Sequence, residues 1–243
     1  MGRSRYAGSV AWTALAMVAA VVSPVAPAQT TTTKSSLEDG RRSGIDLFQI
    51  SLLRAHPGQM PSLIEDVKQE KKKLGDEMVI MRHSQGDHWD LMLLSPAPDN
   101  PIQSRSYGDR VDFQHDFLAS SKSGWQQIKE LAANAGLFHI EMFRAAKGQY
   151  DALLKQRFME NNYLVATQRK ANVVFETVFG SDVDLFTVGF YTDMQQFAAE
   201  PALDESVFEE AADAAGFKSR SDIGFYLRRF LVGHQDTLAT QVR

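Results

Sequence analysis

The chain has 243 residues, no cysteine and a formal net charge of −4. The missing cysteines exclude disulfide-stapled scaffolds, zinc ribbons and thiol enzymes, and 30 acidic residues against 26 Lys and Arg argue against a nucleic-acid binder. With 44% hydrophobic and 23% charged residues, the composition is that of a globular protein, one large domain or two small ones.

The first segment reads as an address. Arg3 and Arg5 precede an uncharged run from Ala7 to Val22, then Ser23-Pro24 and the small-residue sequence Ala26-Pro27-Ala28. That is the order of an export signal: basic, apolar, cleavage site. The run is 16 residues, short of the roughly 20 a membrane-crossing helix needs. Cleavage after Ala28 is expected, which leaves no stable membrane anchor, and without cysteine there is no lipid attachment site. The chain from Gln29 then has 215 residues, 24 basic against 30 acidic, a net charge of −6 and a periplasmic or secreted location. Residues 29–44 (QTTTTKSSLEDGRRSG) lack apolar content and read as a flexible leader.

The remainder is one unit written twice. Residues 48–64 align with 138–154 at a constant offset of 90 with seven identities, among them Phe48/Phe138, Ile50/Ile140, Arg54/Arg144, Gly58/Gly148 and Leu63/Leu153. At an offset of 94, Gly86-Asp-His-Trp-Asp-Leu91 then meets Gly180-Ser-Asp-Val-Asp-Leu185. In chain order, strands are expected at Ile45–Arg54 and Leu137–Arg144, each running through a glycine turn into an amphipathic helix. The apolar stripe of the first helix is Met60, Leu63, Ile64, Val67 and Leu74; Tyr150, Leu153, Leu154 and Phe158 form that of the second. Hairpins follow at Met78–His83/His88–Leu94 and Asn172–Val178/Val183–Tyr191. Helical material is expected at Asp112–Ala135 and Asp204–Ala215, then a last helix at Asp222–Val232 and a short end segment, Gln235–Val242.

This predicts an α+β fold: two tandem ferredoxin-like β-α-β-β-α repeats, residues 45–136 and 137–243, whose antiparallel sheets form one domain. The strand entering Arg54-Ala-His-Pro-Gly58 or Arg144-Ala-Ala-Lys-Gly148, then helix and hairpin, resembles the dimeric α/β-barrel superfamily, nearest in style to NIPSNAP-like, EthD-like and stress-responsive barrel proteins. The resemblance implies a barrel, and it brings two subgroups with it: cofactor-independent monooxygenases and haem-binding chlorite-dismutase-like proteins. A homodimer is compatible with it.

Strand alternation separates two faces. Phe48, Ile50 and Leu52 match Phe138, Ile140 and Met142, wholly apolar in both copies, and this face is assigned to the helices. The other face carries Gln49, Ser51 and Leu53, then His139, Glu141 and Phe143; in the resembled fold it would look into the barrel. His139 and Glu141, two apart on one strand, suit a proton-transfer pair, two metal ligands, or two groups that simply hydrogen-bond within a partly polar barrel interior. Trp89 packs in the core or at the barrel mouth, or stacks on a ligand. Arg54 and Arg144 make structural ion pairs or bind an anion. His83 and His88 flank a hairpin with Asp87 and Asp90, as a metal site or a solvated tip. Glu65–Lys73 is a solvated helix face. Tyr226–Thr237, with His234 and Asp236, has no counterpart in the first copy and closes the barrel or meets a partner subunit.

There is no G-x-S-x-G, H-E-x-x-H, P-loop or G-x-G-x-x-G pattern. The expected function is binding of a small, largely apolar molecule in the barrel, with Gln49, Ser51, Trp89, His139, Glu141 and Arg144 as contacts. The alternative is an oxygenase or oxidoreductase, cofactor-free or haem-dependent, in which His139 and Glu141 are catalytic. A structural or assembly role is the third reading. No metal and no cofactor are assigned; none of the six histidines stands in a pattern that marks a haem ligand.

Overall fold

The computed structural model describes residues 46–85, 87–99 and 105–243. The segments read as signal and leader, residues 1–28 and 29–44, lie outside the described residues. The first repeat comprises β1 (Asp46–Ala55), α1 (Met60–Lys73), β2 (Val79–Gln85), β3 (Leu91–Pro96), β4 (Val111–Ser121) and α2 (Trp125–Ala133). The second comprises β5 (Leu137–Ala145), α3 (Tyr150–Ala166), β6 (Val173–Phe179), β7 (Leu185–Tyr191), α4 (Met194–Ala198), α5 (Glu205–Ala215), α6 (Asp222–Arg228) and β8 (Leu231–Gln241). All pairings are antiparallel, and the strands close a barrel in the order β1-β3-β2-β8-β5-β7-β6-β4. Two ferredoxin-like repeats thus make one barrel, the architecture that the resemblance implies.

The repeat is visible in single hydrogen bonds. Ala55 N donates to Asp90 Oδ2 at 2.8 Å and Ala145 N to Asp184 Oδ2 at 2.6 Å, so the matched aspartates brace the ends of β1 and β5 alike. Both strands shift register there, at Arg54/Ala55 and Arg144/Ala145. Gly58 and Gly148 follow at φ +78° and +73°, which a residue without Cβ adopts freely and which turns each chain into its helix.

Two expectations change. Asp112–Ala135 is not one helical stretch: β4 occupies Val111–Ser121 and only Trp125–Ala133 is α-helical. The last helix ends at Arg228, and the tail becomes the eleven-residue strand β8. β8 is the counterpart of β4. Each pairs with the first strand of its own repeat and the second strand of the other (β4 with β1 and β6, β8 with β5 and β2), so these two strands stitch the halves together.

The two faces are the reverse of the sequence assignment. Phe48, Ile50, Leu52, Phe138, Ile140 and Met142 point inward, and they share one buried cluster with residues from all eight strands and with Trp125, Ile128 and Ala132 of α2. Phenylalanines meet across this interior: Phe175 stacks on Phe186 at 4.6 Å and sits edge-on to Phe48 at 5.4 Å, and Phe117 meets Phe186 at 5.9 Å. A surface enclosed by strands on every side is dry, so it takes mostly residues whose side chains bear no hydrogen-bonding groups. The helices cover the outside. Leu63 and Val67 of α1 pack on Leu53, Ile80, Leu91 and Leu93, and Leu153 of α3 packs with Phe143 and Leu185. Among the described residues no helix is long and apolar enough to cross a membrane.

Candidate functional site

Outward-facing positions of β5, β7 and β8 assemble a polar cluster beside α3. Register sets Glu141 opposite both Asp236 and Thr187, Phe143 opposite His234, and His139 opposite Leu238 and Gly189. Alternation on β8 then puts His234, Asp236 and Leu238 on the same face as His139 and Glu141. His139 Nε2 lies 3.5 Å from Asp236 Oδ1. His234 Nε2 lies 3.3 Å from that oxygen and 3.4 Å from Glu141 Oε1. The His234 ring is held flat against Phe143, 4.7 Å between centroids.

Helix α3 supplies the covering charge. Arg157, its side chain 1% exposed, donates from Nη1 to Glu141 Oε2 at 3.3 Å and from Nε to Gln156 Oε1 at 2.7 Å; it also pairs with Glu160 and lies over the Phe143 ring at 4.7 Å. Thr187 Oγ1 donates to the same Glu141 oxygen at 3.1 Å. One carboxylate oxygen of Glu141 is thereby anchored, and the other faces His234.

The cluster is graded from dry to wet: the side chains of His234 and Glu141 are nearly buried, His139 is 20% exposed and Asp236 54% exposed. Burial opposes ionisation of Glu141, but His234 and Arg157 outweigh it and hold its carboxyl below the ordinary value. Burial pulls His234 down, yet the Asp236 and Glu141 carboxylates prevail and raise it to about 9. His139 and His234 hold Asp236 below the usual carboxylate range. An apolar cavity of about 350 Å³ continues along the same face, lined in part by Leu137, Leu238, Thr240 and Met194. Phe197 lies 5.1 Å from the His139 ring and 5.2 Å from the Tyr191 ring. Tyr191 uses the room left by Gly189, where an added Cβ would sit 2.8 Å from its ring.

Of the residues expected from sequence, His139 and Glu141 meet here, on the outside of the barrel rather than within it. Gln49 and Ser51 are buried on the equivalent outer face of the first repeat. There Arg105 fills the space, donating to Ser51 Oγ at 3.3 Å and Ser95 Oγ at 2.6 Å and pairing with Glu70 at 2.6 Å. Trp89 is fully buried in the barrel interior. Arg144 pairs with Asp182 at 3.2 Å on the surface, and Arg54 with Asp112 at 2.8 Å. His83 and His88 both contact Asp87, His83 Nε2 accepting from its backbone N–H at 3.1 Å and His88 Nδ1 lying 2.5 Å from its carboxylate.

Sequence reasoning alone does not reach Arg157, Thr187 and Phe197, and it gives His234 and Asp236 no role in the site. A signal for the last two exists: Gln114-His-Asp-Phe-Leu-Ala119 and His234-Gln-Asp-Thr-Leu-Ala239 share Asp, Leu and Ala in register. That match marks β8 as the second copy of β4 and puts Asp236 beside Glu141, as Asp116 stands beside Ser51.

No family model matches the chain, and no curated protein matches it in sequence. Among solved structures it is similar to an anthrone oxidase-like protein at 10% identity and a TM-score of 0.53, over 82% of this chain and 92% of that one. It is also similar to a chlorite dismutase variant from Candidatus Nitrospira defluvii (13% identity, TM-score 0.47, 82% and 92% covered). A haem-binding protein from Thermus thermophilus follows at 12% identity and a TM-score of 0.45, with the same shares covered.

Proposed function

We propose that this chain, with its dimeric α/β-barrel fold, binds a small, largely apolar molecule on the outer face of its second repeat, with a hydrogen-bonding head group at His139 and Asp236. The observation that carries the reading is the junction of two surfaces on one sheet face: the apolar cavity at Leu137, Leu238 and Met194, and the solvent-reaching edge of the ionic cluster. A cavity of this size, apolar with a few convergent polar groups, is what a small-molecule site requires. The packed phenylalanine interior argues against the barrel lumen as the place.

Haem, which the resemblance brings with it, does not fit this cluster. The space a porphyrin would need is taken by Arg157, Gln156 and Phe143 around His234 and by Phe197 against His139. A second reading is an oxidase or oxygenase acting on the same molecule without haem; the fold shared with the anthrone oxidase-like protein and the His139–Asp236 pair at the mouth favour it.

The test is a titration of the purified chain with 2-naphthol, an apolar bicycle with one hydroxyl. Saturable binding is expected, weakened at least tenfold in Asp236→Asn and His139→Ala and unchanged in the barrel variant Phe117→Leu. Equal binding by all four proteins overturns the assignment. Residues 1–28 support export in the same reading, and the N-terminus of the protein recovered from the periplasm or medium is expected at Gln29.

A further inference from the structure

We propose that the second repeat holds one divalent first-row transition-metal ion between His139 Nε2, His234 Nε2, Asp236 Oδ1 and Glu141 Oε1. The inference rests on the reading above, that this cluster is the working centre, and adds the ion that would face the head group.

Four observations carry it. The first is spacing. Donor atoms arranged tetrahedrally about 2.0–2.1 Å from a zinc-like ion stand roughly 3.3–3.4 Å apart. Three of the six donor pairs, each an imidazole and a carboxylate, are 3.3, 3.4 and 3.5 Å apart, and the donor atoms of His139, Glu141 and Asp236 all lie within 4.8 Å of one another.

The second is an orphan. His234 Nε2 is buried, its side chain only 8% exposed, and it stands 3.3 and 3.4 Å from the Asp236 and Glu141 carboxylates without a well-aligned hydrogen bond to either. A polar atom left unsatisfied in a dry place is costly unless something completes it. A metal ion bound there takes the place of the Nε2 proton and is shared with both carboxylates.

The third is the support behind the donors. Arg157 and Thr187 both hold Glu141 Oε2, which leaves Oε1 directed at the cluster, and Phe143 fixes the His234 ring plane. Outer partners of this kind orient metal ligands and are characteristic of built sites. The donors themselves sit on paired strands at fixed register, so the geometry does not depend on a loop.

The fourth is the other repeat. At the equivalent place, beside Ser51 and Asp116, the chain inserts a cation of its own, Arg105, tied down through Glu70, Ser51 and Ser95. Gln114, the counterpart of His234, donates there to the Arg105 carbonyl at 2.6 Å and to Asp116 at 2.7 Å. Where the first repeat has a resident guanidinium and amide donors, the second has two imidazoles and two carboxylates, with the mouth open at Asp236. Two nitrogen and two oxygen donors suit Zn²⁺, Fe²⁺, Mn²⁺ or Co²⁺. They do not suit Ca²⁺ or Mg²⁺, which take oxygen shells, or Cu⁺, which takes sulfur.

The experiment uses the full chain, stripped with EDTA, dialysed and titrated with Zn²⁺ by calorimetry and with Co²⁺ by visible absorption. One equivalent is expected to bind, with a d–d band of four- or five-coordinate intensity. Affinity is expected to fall at least a hundredfold in His234→Gln and tenfold or more in Asp236→Asn, a half-exposed position where folding is not at stake. Failure of the wild-type chain to bind one equivalent overturns the proposal, and so does undiminished binding in both variants. Repeating the 2-naphthol titration with and without EDTA separates the two readings. Naphthol binding without metal binding leaves the small-molecule site and removes the ion; metal binding without naphthol binding does the reverse.

Discussion

Replacing Arg157 by alanine should be among the most damaging single changes in the second repeat. Its guanidinium is 1% exposed and has four partners: Glu141 at 3.3 Å, Glu160, Gln156 at 2.7 Å and the face of Phe143 at 4.7 Å. Without it, Glu141 keeps only Thr187 on that oxygen, and a carboxylate stays buried with half its compensation gone. Removing one partner of a buried ion pair costs about 3–5 kcal/mol, because the other charge is stranded. A domain of about 200 residues loses roughly 2–4 °C in Tm per kcal/mol, so a fall of about 6–20 °C is expected. Arg157→Met keeps the aliphatic stem over Phe143 and isolates the charge. Adding Glu141→Gln to it removes the stranded anion and should recover about 2 kcal/mol of the loss, a coupling within the range of contacting residues. Urea unfolding of five proteins at pH 7 in EDTA (wild type, Arg157→Ala, Arg157→Met, Glu141→Gln and the Arg157→Met/Glu141→Gln double variant) measures the loss and the cycle. A loss below about 1 kcal/mol in Arg157→Ala would refute the reasoning, as would single losses that simply add in the double variant.

Other expectations concern the same sheet from both sides. In the metal-free protein His234 is raised from 6.5 to about 9, so its protonated form stabilises the fold fully below pH 6.5 and that contribution is lost as pH rises through 9. The urea midpoint should decline over that interval and flatten in His234→Asn; identical profiles would count against the His234 contacts. Phe175→Ala opens a cavity among Phe48, Phe186 and the other interior rings and should cost about 3–5 kcal/mol. Its 2-naphthol affinity should stay within twofold of wild type, and a larger change would return the ligand to the lumen. Gly189→Ala sets a Cβ 2.7 Å from Asn172 Oδ1 and 2.8 Å from the Tyr191 ring. A loss of about 1–3 kcal/mol with an altered near-ultraviolet tyrosine signal is expected, and an unchanged signal would mean Tyr191 does not depend on that gap.

The repeat is the legible part of the fold, because each copy must solve the same local problem: strand end, glycine turn, amphipathic helix, hairpin. The matched Asp90 and Asp184 do so with the same backbone hydrogen bond. Strand β4 is not legible in the same way. Its outer positions carry Gln114 and Asp116, its inner ones Phe113, His115 and Phe117, and a register shift falls at Asp112, so polar residues on both faces and the irregularity dilute the two-residue period. With β4 hidden, β8 is hidden too, and with it the two residues that complete the cluster around His139 and Glu141.

The face assignment fails for a reason that bears on the site itself. Alternation shows which residues share a face; it is silent on which face is drier. The expectation that polar residues look into a barrel presumes a lumen with room for water or ligand. Here eight strands draw in enough phenylalanine to fill it, and the helices cover the outside only in part. The outer face is therefore the one that tolerates charge, and the two repeats use it differently. The first closes it with Arg105 and Tyr107, both bonded to Glu70. In the second, Arg157 secures the inner end of the cluster and Asp236 stays open to solvent. A duplicated frame has one copy plugged by its own chain, while the other keeps a cluster of four ionisable side chains that runs from buried Glu141 and His234 out to solvent at Asp236.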